Sequence, residues 1–149
     1  MKILHRNGEV LHELTGDLIG ARLIELTLEN AVFDGLTMEG AHFDGSCLRY
    51  ASFRDSDLYW ATFFDADLSY ADLTGADLRG ADLKRATFYG ATLANAKLGR
   101  DSLGGSTELA GADFQRADFK SADLAGACYD EQTRFPDGFD PHAHGLILL

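Results

Sequence analysis

Between Ala61 and Phe88 the chain repeats a five-residue unit without interruption, reading ATFFD ADLSY ADLTG ADLRG ADLKR ATF. Every fifth residue is large and apolar (Phe63, Leu68, Leu73, Leu78, Leu83, Phe88), and the residue two before each is alanine, as at Ala61, Ala66, Ala71 and Ala76. A period of five fits neither the helix nor the coiled-coil seam. In extended chain, residues two apart point the same way. Each unit therefore sends one small and one large apolar group to one side and leaves three positions to water. A single pentad cannot bury its own centre, so successive units must wind and stack into a β-solenoid.

Counting in fives places centres from Leu18 to Leu103. After one inserted residue in Gly104-Gly105-Ser106 the register resumes at Leu109, Phe114, Phe119, Leu124 and Tyr129. This count puts Asp101 in a small inward slot, where a carboxylate is costly unless hydrogen-bonded. The backbone of the adjacent bulge is its expected donor. Phe33, Phe43, Phe53 and Phe63 alternate with Met38, Leu48 and Leu58. Four units per coil set Phe33 on Phe53 and Phe43 on Phe63 along opposite walls, whereas three would mix Phe with Leu. The pattern favours four sides.

Residues 1–15 precede the repeat, and Asn7-Gly8 predicts a type I′ β-hairpin over one open end of the core, with His5 and His12 as a cross-strand pair. The tail from 132 to 149 carries Pro136 and Pro141, which disfavour ladder pairing. The expected division is a hairpin cap at 1–15, a repeat at 16–131 and a C-terminal cap at 132–149. Phe135 and Phe139 are expected to cover the last coil, with Gly145 to Leu149 packed on it or pairing with a second molecule.

The ADLTG-ADLRG-ADLKR run, with its central Leu or Phe and preceding Ala, resembles the pentapeptide-repeat family over residues 16 to about 131, and YDEQTRFPDGFDP resembles the closing segment of bacterial members. The resemblance implies an all-β, right-handed, four-sided (quadrilateral) β-helix of about six coils. It also implies a non-catalytic rigid scaffold or protein–protein interaction module. Members of the family that protect DNA gyrase are thought to imitate DNA through an acidic face, which supplies the alternative reading: a gyrase or topoisomerase inhibitor.

A net charge of −11 weighs against direct binding to nucleic acid or anionic membrane. The chain has no apolar run long enough to span a bilayer, and its first residues lack an apolar leader; a cytoplasmic protein is the expectation. No cofactor is expected, and His142 and His144, without neighbouring ligands, are weak evidence for zinc. Cys47 and Cys128 precede centres on what this count makes the same wall, four coils apart. At about 4.8 Å per coil they are too distant for a disulfide.

Asp17, Asp57, Asp67, Asp72, Asp77, Asp82, Asp113, Asp118 and Asp123 each precede a centre. They read as the polar outer face of the repeat rather than as catalytic pairs. Glu25, Glu29, Asp34, Glu39 and Asp44 fall on successive walls, an acidic ring near one end. No nucleophile–base pair stands out, so an enzyme is not expected. The unusual outward residues are aromatic: Tyr50, Tyr59, Trp60, Phe64, Tyr70 and Tyr89. They form the candidate partner-binding set, with Tyr59, Trp60 and Phe64 as one patch. The plainer reading is that they cover Gly-rich corners. The partner is a protein of unknown identity, and a homodimer through a coil end is a further expectation.

Overall fold

The computed structural model describes residues 1–149. Parallel bridges join residues twenty apart, as in Cys47 to Asp67 and Ser52 to Asp72, so four pentads complete one coil. The result is a right-handed, four-sided β-helix. At each rung the centre donates its N–H to one neighbouring coil (Leu68 to the Thr87 carbonyl, 2.7 Å) and the residue before it donates to the other (Asp67 to the Ser46 carbonyl, 3.0 Å). The corner then turns in three residues: the Ala71 N–H closes on the Leu68 carbonyl at 3.0 Å. The second residue after each centre from Leu18 to Leu93, and from Leu109 to Leu124, has positive φ, filled by Gly at some corners and by Tyr50 (57°), Trp60 (56°), Asp65 (56°) or Tyr70 (59°) at others. Positive φ at the third turn position is what a type II turn requires.

Numbering the sides in chain order, wall 1 stacks Leu18, Met38, Leu58, Leu78, Leu98 and Leu124. Wall 2 carries Leu23, Phe43, Phe63, Leu83, Leu109 and Tyr129; wall 3 runs from Leu28 to Phe114 and wall 4 from Phe33 to Phe119. Leu68, Leu73, Leu78 and Leu83 are fully buried, as are Ala71, Ala76 and Ala81 two residues before the later three. Phe33 stacks on Phe53 with ring centroids 4.8 Å apart, and Phe43 on Phe63 at 4.9 Å. The two columns meet edge-to-face across the interior, with Phe43 and Phe53 at 5.8 Å and 89°. The like-on-like columns expected of four sides are present.

Leu103 is not a centre. The ladder runs Asp77 to Lys97 and then Asp82 to Glu108, so the chain between wall 1 and wall 2 of that coil carries six extra residues rather than one. Leu103 is 82% exposed on the resulting loop, and Thr107, fully buried, takes the small inward slot that the count had given to Asp101. The reason is the carboxylate: Asp101 cannot enter an apolar column, whereas the Thr107 hydroxyl donates to the Leu78 carbonyl at 3.1 Å and accepts from Gly80 N–H at 3.1 Å. The shift also separates the cysteines. Cys47 stands on wall 3 between Thr27 and Asp67, and Cys128 on wall 2 above Glu108; both are free thiols.

The N-terminal hairpin comprises β1 (Lys2–His5) and β2 (Val10–Glu13), and β1 also pairs antiparallel with β3 (Ala31–Val32). Ile3 is buried beneath it. Its turn is not type I′. Gly8 alone has positive φ (90°), and the Gly8 N–H bonds to the His5 carbonyl, which gives a three-residue loop closed by a bulge glycine. A register shift between Ile3 and Leu4 sets His12 opposite Ile3, and the His5 N–H bonds to the Glu9 carbonyl, so the two histidines do not pair.

At the other end the ladder continues to Arg134, bridged to Asp113. Phe135 stacks on Phe114 (6.0 Å) and Phe139, tilted by 40°, packs against Phe119 (5.3 Å), closing walls 3 and 4. β5 (Ile147–Leu148) pairs in parallel with β4 (Cys128–Tyr129), so the last residues pack on their own final coil despite the two prolines. No helix is long and apolar enough to cross a membrane.

Candidate interaction surface

The outward aspartates are built into the corners. Each of the nine that precede a centre accepts the N–H two residues on: Asp67 from Ser69 at 2.9 Å, Asp72 from Thr74 at 3.0 Å, Asp17 from Ile19 at 3.2 Å. These are Asx turns, in which the side chain supplies the acceptor that the backbone lacks as it bends. Where Ser52 and Thr62 replace aspartate, the acceptor comes from the previous coil: Asp34 takes the Arg54 N–H at 3.0 Å and Asp44 the Phe64 N–H at 2.9 Å. The aspartates are thus more than a polar outer face: they also cap the turns. Asp77 carries the strongest local charge pairing. Burial pushes its carboxyl up, but the hydrogen bonds and charge of Arg79, with Lys97 beyond, outweigh this and hold it below the ordinary range.

The aromatic residues occupy three corners rather than one patch. At the corner of walls 3 and 4, Tyr50 stacks on Tyr70 (centroids 5.2 Å, 8°) and Tyr89 meets Tyr70 edge-on at 5.8 Å. Arginines sit at both ends of the row. Arg6 donates to the Tyr50 carbonyl at 2.6 Å and Arg49 lies over the Tyr50 ring, while Arg116 lies over Tyr89. Two grooves open along this corner: one of about 460 Å³ with Arg6, Tyr50, Arg54 and Tyr70 in its lining, the other of about 540 Å³ between Tyr89, Gln115, Arg116 and Asp137.

Tyr59 and Trp60 stand at the corner of walls 1 and 2, and both are tied to the inserted loop. Asp101 accepts from the Tyr59 hydroxyl (2.9 Å), Trp60 Nε1 (3.0 Å), Leu103 N–H (2.9 Å) and Gly105 N–H (2.6 Å). The donor expected from the backbone of the Gly104-Gly105-Ser106 bulge is the Gly105 N–H; Leu103 lies outside that expectation, and so do the two aromatic donors. The signal for them was absent, because residues 59 and 101 lie 42 apart and only the coil stacking brings them together. Burial alone would raise the Asp101 carboxyl, but these donors outweigh it and hold it below the ordinary carboxylate range. The Trp60 contact lowers the Tyr59 phenol; the bond to Asp101, with burial, more than offsets this and leaves it raised.

Phe64 stands apart, at the corner of walls 2 and 3, with the Arg85 guanidinium 5.2 Å above its ring. A shallow recess of about 220 Å³ lies beside it, lined by Ile24, Glu25, Asp44, Gly45, Phe64 and Asp65. The covering role is also realised. Trp60 lies over Gly80 of the next coil and Tyr70 over Gly90, in each case within 3 Å of where a Cβ would sit. Glu25, Glu29, Asp34 and Glu39 do ring one turn at the N-terminal end, but Asp44, Asp65 and Asp82 lie along wall 2, the first beside Glu25, and the six-residue insertion brings Glu108 and Asp130 onto the same wall. Asp65 is paired with Arg85 (2.8 Å) and Asp82 with Lys84 (3.0 Å).

No curated protein sequence matches the chain. Solved structures do. A pentapeptide repeat protein from Nostoc PCC 7120 is 30% identical, with 86% of each chain covered and a TM-score of 0.34. One from the thylakoid lumen of Arabidopsis thaliana is 31% identical over 77% of this chain and 66% of its own, with a TM-score of 0.36. QnrB1, a plasmid-mediated fluoroquinolone resistance protein, is 16% identical over 89% and 86%, with a TM-score of 0.49. The pentapeptide-repeat family profile matches eight copies over residues 17–49, 61–100 and 106–128. With the twenty-residue ladder and the repeated Ala-Asp-Leu rungs within that match, the chain belongs to the pentapeptide-repeat family.

Proposed function

We propose that this chain is a non-catalytic interaction module that binds a protein partner along the corner of walls 3 and 4. One observation carries the reading: the two largest surface grooves both open on the Tyr50, Tyr70 and Tyr89 row, which has arginines at each end. Tyrosine buries much area at small entropic cost, and tyrosine and arginine are both enriched among the residues that carry binding energy at protein interfaces. Phe64, on the neighbouring corner of walls 2 and 3, is a secondary contact; Tyr59 and Trp60 lie on the opposite corner and belong to a separate surface. The aspartates support a non-catalytic role, since each spends an oxygen on a turn amide. The test is capture of a partner by the native chain and by a Tyr50→Ser, Tyr70→Ser, Tyr89→Ser variant of matched secondary structure. A partner retained in full by the variant overturns the reading.

Two further parts belong to this proposal. Free Cys47 and Cys128 suit a reducing compartment such as the cytoplasm. A coil-end homodimer would use the outer edge of β5, where Ile147, Leu148 and Leu149 are exposed. Removal of residues 146–149 abolishes such a dimer.

The second reading is imitation of DNA, favoured by the line of carboxylates from Glu25 to Asp130 on wall 2. Supercoiling by gyrase, measured with and without the protein, separates the two: an interaction module with another target leaves it unchanged.

A further inference from the structure

Five of the exposed large apolar side chains share one face of the rod. Leu4 pairs with Val10 of β2 on one side and with Val32 of β3 on the other, so these three form a straight row across the N-terminal sheet. They are 45%, 40% and 37% exposed in the order Val10, Leu4, Val32. Val32 also bridges to Ser52, and Ser52 to Asp72, so the row runs without a break onto the outer face of wall 4. There Val32, Ser52 and Asp72 floor the groove of about 460 Å³, and Tyr50 and Tyr70 stand exposed along its side. The N-terminal hairpin thus does more than cap the core: β1 and β2 lengthen this groove by two strands.

Three features of the lengthened groove decide what can lie in it. Its charges cancel. Arg6 and Arg54 face Asp34 and Asp72, and beside the apolar row Lys2 pairs with Glu13 at 3.3 Å. Both carboxylates of the groove already accept, Asp34 from the Ser52 hydroxyl and the Arg54 N–H, Asp72 from Thr74 and the Arg54 guanidinium. What remains unspent is donors. No group of the chain accepts from the Tyr50 or Tyr70 hydroxyl, and Arg6 spends one N–H on the Tyr50 carbonyl and forms no ion pair. The floor offers no free backbone, since the Ser52 N–H is bonded to the Ala31 carbonyl at 2.8 Å and the Asp72 N–H to the Ala51 carbonyl at 2.9 Å. A strand cannot be added there, and an ordinary segment laid across it would bury unpaired N–H groups. A proline-rich segment brings carbonyl acceptors and few N–H groups, and its polyproline II helix is formed before it binds.

The spacing agrees. Adjacent strands lie about 4.8 Å apart, so Val10 and Val32, two strands from each other, are separated by roughly 9.6 Å. Polyproline II rises about 3.1 Å per residue, which sets residues three apart at roughly 9.3 Å. Resting on the interaction reading above, we propose that the groove, lengthened by Val10, Leu4 and Val32, takes a proline-rich segment of the protein partner. The segment runs along the rod with every third residue over every second strand, and the tyrosine hydroxyls and Arg6 donate to its carbonyls. Aromatic-lined grooves recognise such segments because little conformational freedom is lost on docking.

Titration of the whole, isotopically labelled chain with the blocked peptide Pro-Pro-Leu-Pro-Pro-Leu-Pro-Pro, followed by NMR, tests this. The native protein is expected to bind with a Kd below about 1 mM and to shift the amides of Leu4, Val10, Val32, Tyr50 and Tyr70. The flexible peptide Gly-Ser-Leu-Gly-Ser-Leu-Gly-Ser carries the same leucines but must be ordered on binding, and binds at least about tenfold more weakly. Leu4→Ser and Tyr50→Ser, both at exposed side chains, each weaken binding at least about fivefold. Val10→Ser takes the place of Leu4→Ser should that variant lose the hairpin. Leu103→Ser, on the loop between walls 1 and 2, leaves binding unchanged. No binding at about 5 mM peptide, equal affinity for the two peptides, or shifts confined to other faces overturns the proposal. A partner captured by the native chain and lost by the tyrosine variant, with no peptide bound, overturns the proline-rich segment alone and leaves the interaction reading standing.

Discussion

Trp60 occupies the space that a side chain at Gly80 would need: a Cβ there would lie 2.8 Å from the indole Nε1. Gly80 also has φ of +72°. Tyr70 stands in the same relation to Gly90, one wall pair away, so ring over glycine is a way this helix covers a corner that has no side chain of its own.

Gly80→Ala is therefore expected to cost more than backbone strain. Gly35, at φ +67° with nothing within 4 Å of its Cβ, isolates the strain itself, about 1–2 kcal/mol for Gly35→Ala. Displacing the indole from Asp101 adds roughly 1–3 kcal/mol at Gly80. Chemical denaturation of the two variants checks the difference; equal losses would show that Trp60 yields freely.

Ala76 sits in a fully buried column with Lys97 N–H bonded to its carbonyl at 2.9 Å. Ala76→Leu is expected to overpack the wall and destabilise by about 1–3 kcal/mol or more. Phe53→Ala, which removes the ring stacked on Phe33 and edge-on to Phe43 and Phe63, is expected to cost about 3–5 kcal/mol. Melting temperatures measured by circular dichroism report both.

Asp72 holds the Thr74 amide, the Thr74 hydroxyl and Arg54 together. Asp72→Ala should cost about 0.5–1.5 kcal/mol by loss of the turn cap. Asp72→Asn keeps the acceptor oxygen and should recover most of it. If Asn recovers nothing, the charge pairing with Arg54 matters more than the cap.

Acid is expected to unfold the protein by a specific route. Asp77, Asp101 and Asp130 all have carboxyls held below the ordinary value, the last mainly by the Gly111 N–H. A depressed carboxyl contributes stability that is complete above the unfolded-state pKa, near 4, and is lost as pH falls through the folded-state value. Stability should be level above about pH 5 and decline below about pH 4. Asp101→Asn should shrink that decline, and its loss of the Trp60 acceptor should change tryptophan fluorescence at neutral pH. A pH profile identical to the native one would remove Asp101 from the account.

Much of the fold was legible because the pentad is a local code. Large and small apolar residues two apart must face one way, and Phe33 to Phe63 alternate in a manner that only a four-sided coil stacks like on like. The turn glycine Gly8 was legible as a turn but not as a turn type, since the bulge between Ile3 and Leu4 depends on what β1 pairs with across the core. The candidate surface was legible only as a set of outward aromatics; their division among three corners was not.

Composition and period, without coordinates, determined that this chain is a wound, filled β-rod with an aspartate-lined exterior, because alternation and side-chain size act within five residues. Tertiary structure alone decided that Leu103 leaves the core, that Asp101 meets Tyr59 and Trp60, and that Cys47 and Cys128 stand on different walls. Each of those depends on which residue of one coil lies over which residue of the next. An insertion shifts that alignment by an amount set by where a carboxylate can find donors, which no count along the chain contains.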